Sequence, residues 1–164
     1  MSGGVVRYAG IAAPVGRLLV AGNDEGLCLI GFPSGKGVRA PEPGWVEDAG
    51  RFDDVRTQLG GYFAGTLRAF DLSLAPRGTP FQRSVWMALR DIPYGETISY
   101  AELATRVGNP RAVRAVGAAN GRNPLPIVVP CHRVIGADGS LVGFGGGLDV
   151  KRALLDLERA LRRV

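Results

Sequence analysis

The chain is poor in histidine, cysteine and lysine, and each shortage excludes something. One histidine and two cysteines stand in 164 residues. A structural zinc site needs three or four Cys/His ligands, so no metal is expected, nor any cofactor. Cys28 and Cys131 lie in different halves, which does not make a disulfide framework. No apolar run approaches the roughly 18 residues a membrane helix requires. The stretch at 18–20 is apolar, but Pro14, Gly16 and Arg17 interrupt any signal-peptide core. A soluble, cytoplasmic protein is therefore expected. Internal repeats and low-complexity tracts are absent. Lysine occurs only at Lys36 and Lys151, so eighteen of the twenty basic residues are arginine.

What is present is unevenly distributed. Residues 1–76 carry a net charge of −1 and residues 77–164 a net charge of +6, matching the overall +5. Arginine-rich basic surface suits phosphate partners, because the guanidinium fork fits phosphate geometry. Charge alone also fits an acidic protein partner, or none in particular.

The acidic half reads as an α/β unit built on hairpins. Residues 5–12 and 17–21 look like strands joined at Pro14-Val15-Gly16, and 27–32 like a third after Gly22–Gly26. Residues 33–44, rich in proline and glycine, read as a loop. Phe52, Val55, Leu59 and Phe63 recur at helical spacing and predict an amphipathic helix over 51–64. Phe70, Leu72 and Leu74 alternate and predict a strand. Pro76-Arg77-Gly78 reads as a linker, which divides the chain into domains 1–76 and 77–164.

The basic half reads as mostly helical. Thr79-Pro80-Phe81-Gln82 is a capping box with proline at the first helical position, and Ser99-Tyr100-Ala101-Glu102 is a second box. The helix after Ser99 should end at Gly108, and Asn109-Pro110 should start the next at once. That spacing matches a helix-turn-helix, or an ordinary helical hairpin. On the later helix Val113, Val116 and Ala119/Asn120 share one face, and Arg111, Arg114 and Ala118 another. Ala112, Ala115, Gly117, Ala118, Ala119 and Gly121 make this helix slim enough to approach a narrow groove.

Chemistry concentrates at Pro130-Cys131-His132-Arg133-Val134, where the only histidine follows a cysteine. A free thiol has a pKa of about 8.5, and a nearby base removes that obstacle to nucleophilic attack. Ile127-Val128-Val129 is apolar and β-branched, and Pro130 biases its predecessor to an extended backbone, so Cys131 is expected at the end of a buried strand. On an extended backbone neighbouring side chains diverge, so His132 would reach the thiol through a water. In the last helix Glu158 shares a face with Leu154, Leu157 and Leu161 and needs a partner there. His132 is one choice, giving a Cys–water–His–Glu relay. An arginine such as Arg152 or Arg162 is another. Cys28, within Leu27–Ile30 and without a base, reads as core.

The Pro130–Arg133 motif, Asn123-Pro124 before it and Gly143-Phe144-Gly145-Gly146-Gly147 after it resemble the O6-alkylguanine-DNA alkyltransferases. The resemblance is dense from Thr79 to Glu158. It implies a ribonuclease-H-like α/β N-terminal domain and a mostly α C-terminal domain with a winged-helix-like helix-turn-helix. It implies single-turnover DNA repair: the alkyl group of O6-alkylguanine, or O4-alkylthymine, moves from duplex DNA to Cys131. Cys131, His132, Glu158 and Tyr100 carry the reaction by this resemblance. Arg114 fills the gap left by a flipped base, and Tyr100 pushes the 3′ phosphate and donates to guanine N3. Arg111, Ala115 and Ala118 belong to the helix face in the minor groove. Backbone groups at Val134 and Gly145 bind guanine, Asn123 braces the turn before the active site, and Pro126 and Gly146 match members with roomy pockets. Phe144 stands where many relatives carry tyrosine. Some relatives hold zinc in the N-terminal part, for which this chain lacks the ligands. A monomer is expected, with cooperation on DNA left open. Two alternatives compete: a lesion-binding module without chemistry, and a Cys-His-Glu hydrolase that turns over.

Overall fold

Apolar alternation in the first thirty residues resolves into two tight hairpins. A computed structural model describes residues 4–35 and 39–162. Strands β1 (Arg7–Ala13), β2 (Gly16–Asn23) and β3 (Gly26–Gly31) form an antiparallel meander, and the short β4 (Val46–Glu47) adds parallel to β1. Leu18 and Val20 of β2 are fully buried, as period-two patterning requires. In the second hairpin Asn23 accepts a hydrogen bond from the Glu25 amide, and Gly26 follows at a φ of 148°. A Cβ on Gly26 would lie 2.5 Å from the Ser73 carbonyl, so only glycine lets residues 73–75 cross β3.

Helix α1 (Asp53–Ala64) covers the sheet with Val55, Leu59 and Tyr62, and a left-handed Gly65 ends it. The expected strand at Phe70–Leu74 does not form. Only Leu74 makes a bridge, to Leu27, while the Leu27 amide and carbonyl bond Ser73 and Ala75. The alternation reported one-sided burial, and no partner strand runs along the segment to complete a ladder. Positions 36–38 of the expected loop lie outside the described residues.

The second half is helical. Helix α2 (Pro80–Leu89) starts with both reciprocal bonds of the Thr79/Gln82 capping box. Its Trp86 donates from Nε1 to the Ala119 carbonyl at 2.8 Å, which docks α2 on α4 (Val113–Gly121). Helix α3 (Tyr100–Arg106) is capped by Ser99, but Glu102 turns away from the box to pair with Arg106. Residues 107–112, rather than one or two, separate α3 from α4, and Gly108 has a φ of 85°. Asn109-Pro110 forms a turn closed by the Ala112 amide, so Arg111 lies before α4 and not on it. Strands β5 (Ile98–Ser99) and β6 (Val134–Ile135) pair in parallel, and α5 (Leu148–Arg162) closes the chain. Core residues from both halves form one continuous cluster.

Ile127–Val129 is not a strand. It is a turn, with Ile127 at a φ of 75°, the one non-glycine residue at positive φ among those described. Asn123 holds it, donating to the Val129 carbonyl at 2.7 Å and accepting from the Leu125 amide at 2.9 Å. A β-branched residue in this region stores strain of about 1–3 kcal/mol, tolerated only where the surroundings over-determine it. The apolar run signalled burial, which is observed, and its fully buried character carried no periodicity to distinguish strand from turn.

Candidate active site

Cys131 begins a single 3-10 turn, Cys131–Arg133, that follows this braced loop. The turn, not strand alternation, sets where the three side chains point. Cys131 is nearly buried, and it lines a cavity of about 470 Å³ together with Asn120, Asn123, Pro126, Phe144 and Gly145. Burial pushes its thiol from an ordinary 9.0 up to about 11, against the pull of the Asn123 amide and the Lys151 ammonium. An adjacent base was expected to favour the thiolate at rest; desolvation outweighs it.

His132 and Glu158 meet. His132 Nε2 lies 2.6 Å from Glu158 Oε2, and both side chains are fully buried. Arg133 clamps the same carboxylate from its Nε at 2.8 Å and from its NH2 at 3.0 Å, and gives its remaining amino group to the Ile92 carbonyl. Gly95 donates its amide to Glu158 Oε1 at 3.2 Å, and Tyr62 donates its hydroxyl to Oε2 at 2.6 Å. Burial alone would raise Glu158, but the hydrogen bonds and charges of His132 and Arg133 reverse this and hold the carboxyl well below its ordinary range. Burial lowers His132, only partly offset by Glu158.

These directions fix the tautomer. An ionised carboxylate only accepts, so Nε2 carries the proton and donates it to Glu158. Nδ1 then holds a free lone pair. It is buried and has no hydrogen-bond partner among the described residues. The result is a neutral imidazole with one ring nitrogen unpaired and the other anchored by a charge.

Glu158 bonds both His132 and an arginine, and that arginine is Arg133 rather than Arg152 or Arg162. Arg152 is exposed, and the Arg162 side chain lies outside the described residues. Arg133 stands inside the motif, yet nothing in the sequence separates a structural arginine from a surface one. Lys151 was also missed. It is fully buried and donates from Nζ to the Val134 and Val142 carbonyls at 2.7 and 2.8 Å. Its signal was legible: Lys151, Leu154, Leu155 and Glu158 follow the i, i+3, i+4, i+7 pattern of a core-facing stripe.

The remaining expected residues divide. Tyr100 packs against α4 at Gly117, where an added Cβ would stand 3.6 Å from its ring, and its hydroxyl donates to the Val142 carbonyl at 3.1 Å. Burial, then the charge of Cys131, raises its pKa, so the phenol keeps its proton. Arg111, Arg114, Ala115 and Ala118 are exposed on and just before α4. Pro126, Phe144 and Gly145 line the cavity; Val134 and Gly146 do not. The Val134 carbonyl is occupied by Lys151, and Gly146 lies where a Cβ would come within 2.9 Å of the Phe32 ring. Phe144 packs on Phe32 of the first half, ring centroids 5.4 Å apart. Arg39, Arg77 and Arg122 also line the cavity and make its rim cationic. Cys28 is half-buried, and burial raises its pKa. Among the described residues no group of three or more His, Cys, Asp or Glu could hold a metal ion.

A cavity-lining thiol, a buried imidazole with one unpaired nitrogen and an anchored carboxylate are the parts that cysteine chemistry needs. The comparisons narrow the class. Residues 6–76 match the family described as 6-O-methylguanine DNA methyltransferase, ribonuclease-like domain, and residues 80–160 match its DNA binding domain. A methylated-DNA–protein-cysteine methyltransferase of Methanosarcina acetivorans is 54% identical over 151 residues, spanning 92% of this chain and 97% of that protein. The enzyme of that name from Mycolicibacterium paratuberculosis is 51% identical over 155 residues, 94% of this chain and 93% of its own. A Mycobacterium tuberculosis protein solved in complex with DNA superposes with a TM-score of 0.89 at 49% identity, covering 94% of both chains. The chain belongs to the 6-O-methylguanine DNA methyltransferase family and has its two-domain fold, ribonuclease-like then DNA-binding.

Proposed function

We propose that this protein repairs DNA by moving the alkyl group of O6-alkylguanine in duplex DNA onto Cys131, once per molecule. The observation that carries this reading is the unpartnered Nδ1 of a neutral His132, whose Nε2–H is held by an ionised Glu158, beside a cavity-lining thiol. A thiol raised to about 11 cannot attack as a resting thiolate, so its proton must leave during the reaction. His132 Nδ1 takes that proton through one water, and Glu158 stabilises the imidazolium that forms. The Cys131 sulfur forms a bond to the alkyl carbon as the carbon–O6 bond breaks. The electron pair goes to the guanine, which the protonated Tyr100 hydroxyl stabilises by donating to N3. A thioether has no leaving group that water can displace, so the protein is consumed.

The base must leave the helical stack to reach Cys131. Domain 77–164 binds the minor groove, with α3 and α4 acting as a helix-turn-helix of longer turn. The exposed small residues Ala115 and Ala118 let α4 approach the groove floor, Arg114 enters the stack, and Arg111 meets backbone phosphate. The flipped base occupies the cavity between Pro126, Phe144 and Gly145, and Asn123 holds the loop beneath it. The protein acts as a monomer in the cytoplasm, where its DNA substrate is met.

Arg114→Ala is expected to slow repair of duplex DNA more than reaction with the free alkylated base, because only a duplex needs the base replaced in the stack. Parallel single-turnover measurements on both substrates check this; an equal loss on both would assign Arg114 to folding or chemistry. Duplex affinity should also fall linearly in a plot of log affinity against log salt, with a slope of about −0.9 per phosphate contact. A flat salt titration would remove the groove-binding reading.

A further inference from the structure

Tyr62 belongs to the first half of the chain, yet it touches the relay. It lies on α1, is fully buried, and its hydroxyl donates to Glu158 Oε2 at 2.6 Å. The same oxygen accepts His132 Nε2–H at 2.6 Å and an Arg133 amino group at 3.0 Å. A carboxylate oxygen has a limited acceptor capacity, and each donor disperses part of its charge. Three donors on one oxygen therefore compete. We infer that Tyr62 is a positioning residue for alkyl transfer: by sharing Glu158 Oε2 with His132, it sets how strongly the carboxylate holds the imidazole and the imidazolium.

This inference rests on the reading of His132 as the proton acceptor. The polar groups around the imidazole come from every side. Glu158 and Lys151 face it from α5, Arg133 and Cys131 from its own turn, and Tyr62 from α1. Tyr94 packs edge-on against Tyr62 and beneath the Arg133 guanidinium, which lies 5.6 Å from its ring centre. Of these, Tyr62 is the neutral donor that bonds the same oxygen as the imidazole. It can be altered without changing the formal charge of the site. Its removal leaves Glu158 ionised by Arg133 but less dispersed, so the carboxylate binds Nε2–H more strongly and favours the imidazolium. The ribonuclease-like domain thus contributes a hydroxyl to the relay, besides the residues with which it lines the cavity.

His132 is the only histidine, so its ring can be observed without assignment ambiguity. Nitrogen-15 and proton NMR of the intact protein reads Nε2–H directly. In Tyr62→Phe the Nε2–H resonance should move downfield, and the imidazole titration and the acid limb of the transfer rate should move up by about half a pH unit. Placing 3-fluorotyrosine at position 62 makes a stronger donor and should move all three the other way. An unchanged Nε2–H resonance, or one moving in the same direction in both variants, overturns the inference. If Tyr62→Phe does not fold, the fluorotyrosine protein decides: an upfield shift supports the inference and no shift overturns it. The NMR readout needs no substrate. A moving resonance in a protein that never methylates Cys131 would therefore fail the transfer reading alone, and a fixed resonance in a protein that does would fail this inference alone.

Discussion

Cys131→Ser is expected to abolish transfer while leaving binding to alkylated duplex DNA intact. The wild-type protein, incubated with duplex containing O6-methylguanine, should gain one methyl on Cys131 and none on Cys28. Intact mass and peptide mapping check both parts. The reason lies in the relay. A neutral imidazole can take a proton from a thiol raised to about 11, because the developing thiolate attacks carbon as the proton leaves. A serine hydroxyl is far less acidic, and a single neutral His132 cannot bridge the gap without a transition state built for oxygen. Binding should survive because Arg114, Ala115 and Ala118 lie on the exposed side of α4, which the substitution does not alter. Cys28 sits in β3 with no imidazole, and burial raises its pKa. Many lesions repaired per molecule would point to a hydrolase-like enzyme. Binding without any gain in mass would point to a lesion-recognition module.

The second large effect concerns stability. Glu158→Gln should destabilise the fold by about 3–5 kcal/mol, the scale for removing one partner of a buried ion pair. Arg133 would be left with its charge buried at 6% exposure, and Tyr62 and His132 would lose an anionic acceptor. Against a total of about 5–15 kcal/mol this threatens folding at ordinary temperature. The pH dependence has a definite sign. The folded-state pKa of Glu158 lies well below its ordinary 4.5, so its contribution is present above that value and is lost as pH falls below it toward the folded value. Wild-type stability from urea titration should therefore drop steeply below about pH 4.5, and the variant, already weakened, should drop less. Parallel pH curves for the two proteins would show that the carboxylate is not held by this network.

Much of this was legible in the chain because its causes are local. The Thr79/Gln82 box, the proline at 80, the glycine turns at 16 and 26, and the helical stripe over Val55 and Leu59 each depend on residues within a few positions. So does the Cys131-His132 pair. The apolar face of α5 also placed Glu158 inside before any partner was known. Errors arose where burial was read as secondary structure. Ile127–Val129 and Phe70–Leu74 are both packed against the core, but one is a braced turn and the other a single bridge. The start of α4 was misjudged for a similar reason, since Asn109-Pro110 marks a turn as readily as a helix start.

Legible from the chain alone were the cysteine–histidine pair, the helix starts near their caps, the charge division between the halves and the family. Tertiary structure alone decided what acts on what. Tyr62 reaches Glu158 across 96 positions, Arg133 across 25 and His132 across 26, with no local pattern to announce any of these contacts. The thiol's upward shift likewise belongs to no residue near it in the chain; it follows from how much water the folded loops exclude. Local propensities follow from backbone geometry over a few residues, whereas buried polar partners are chosen by whatever the whole fold brings within three ångströms.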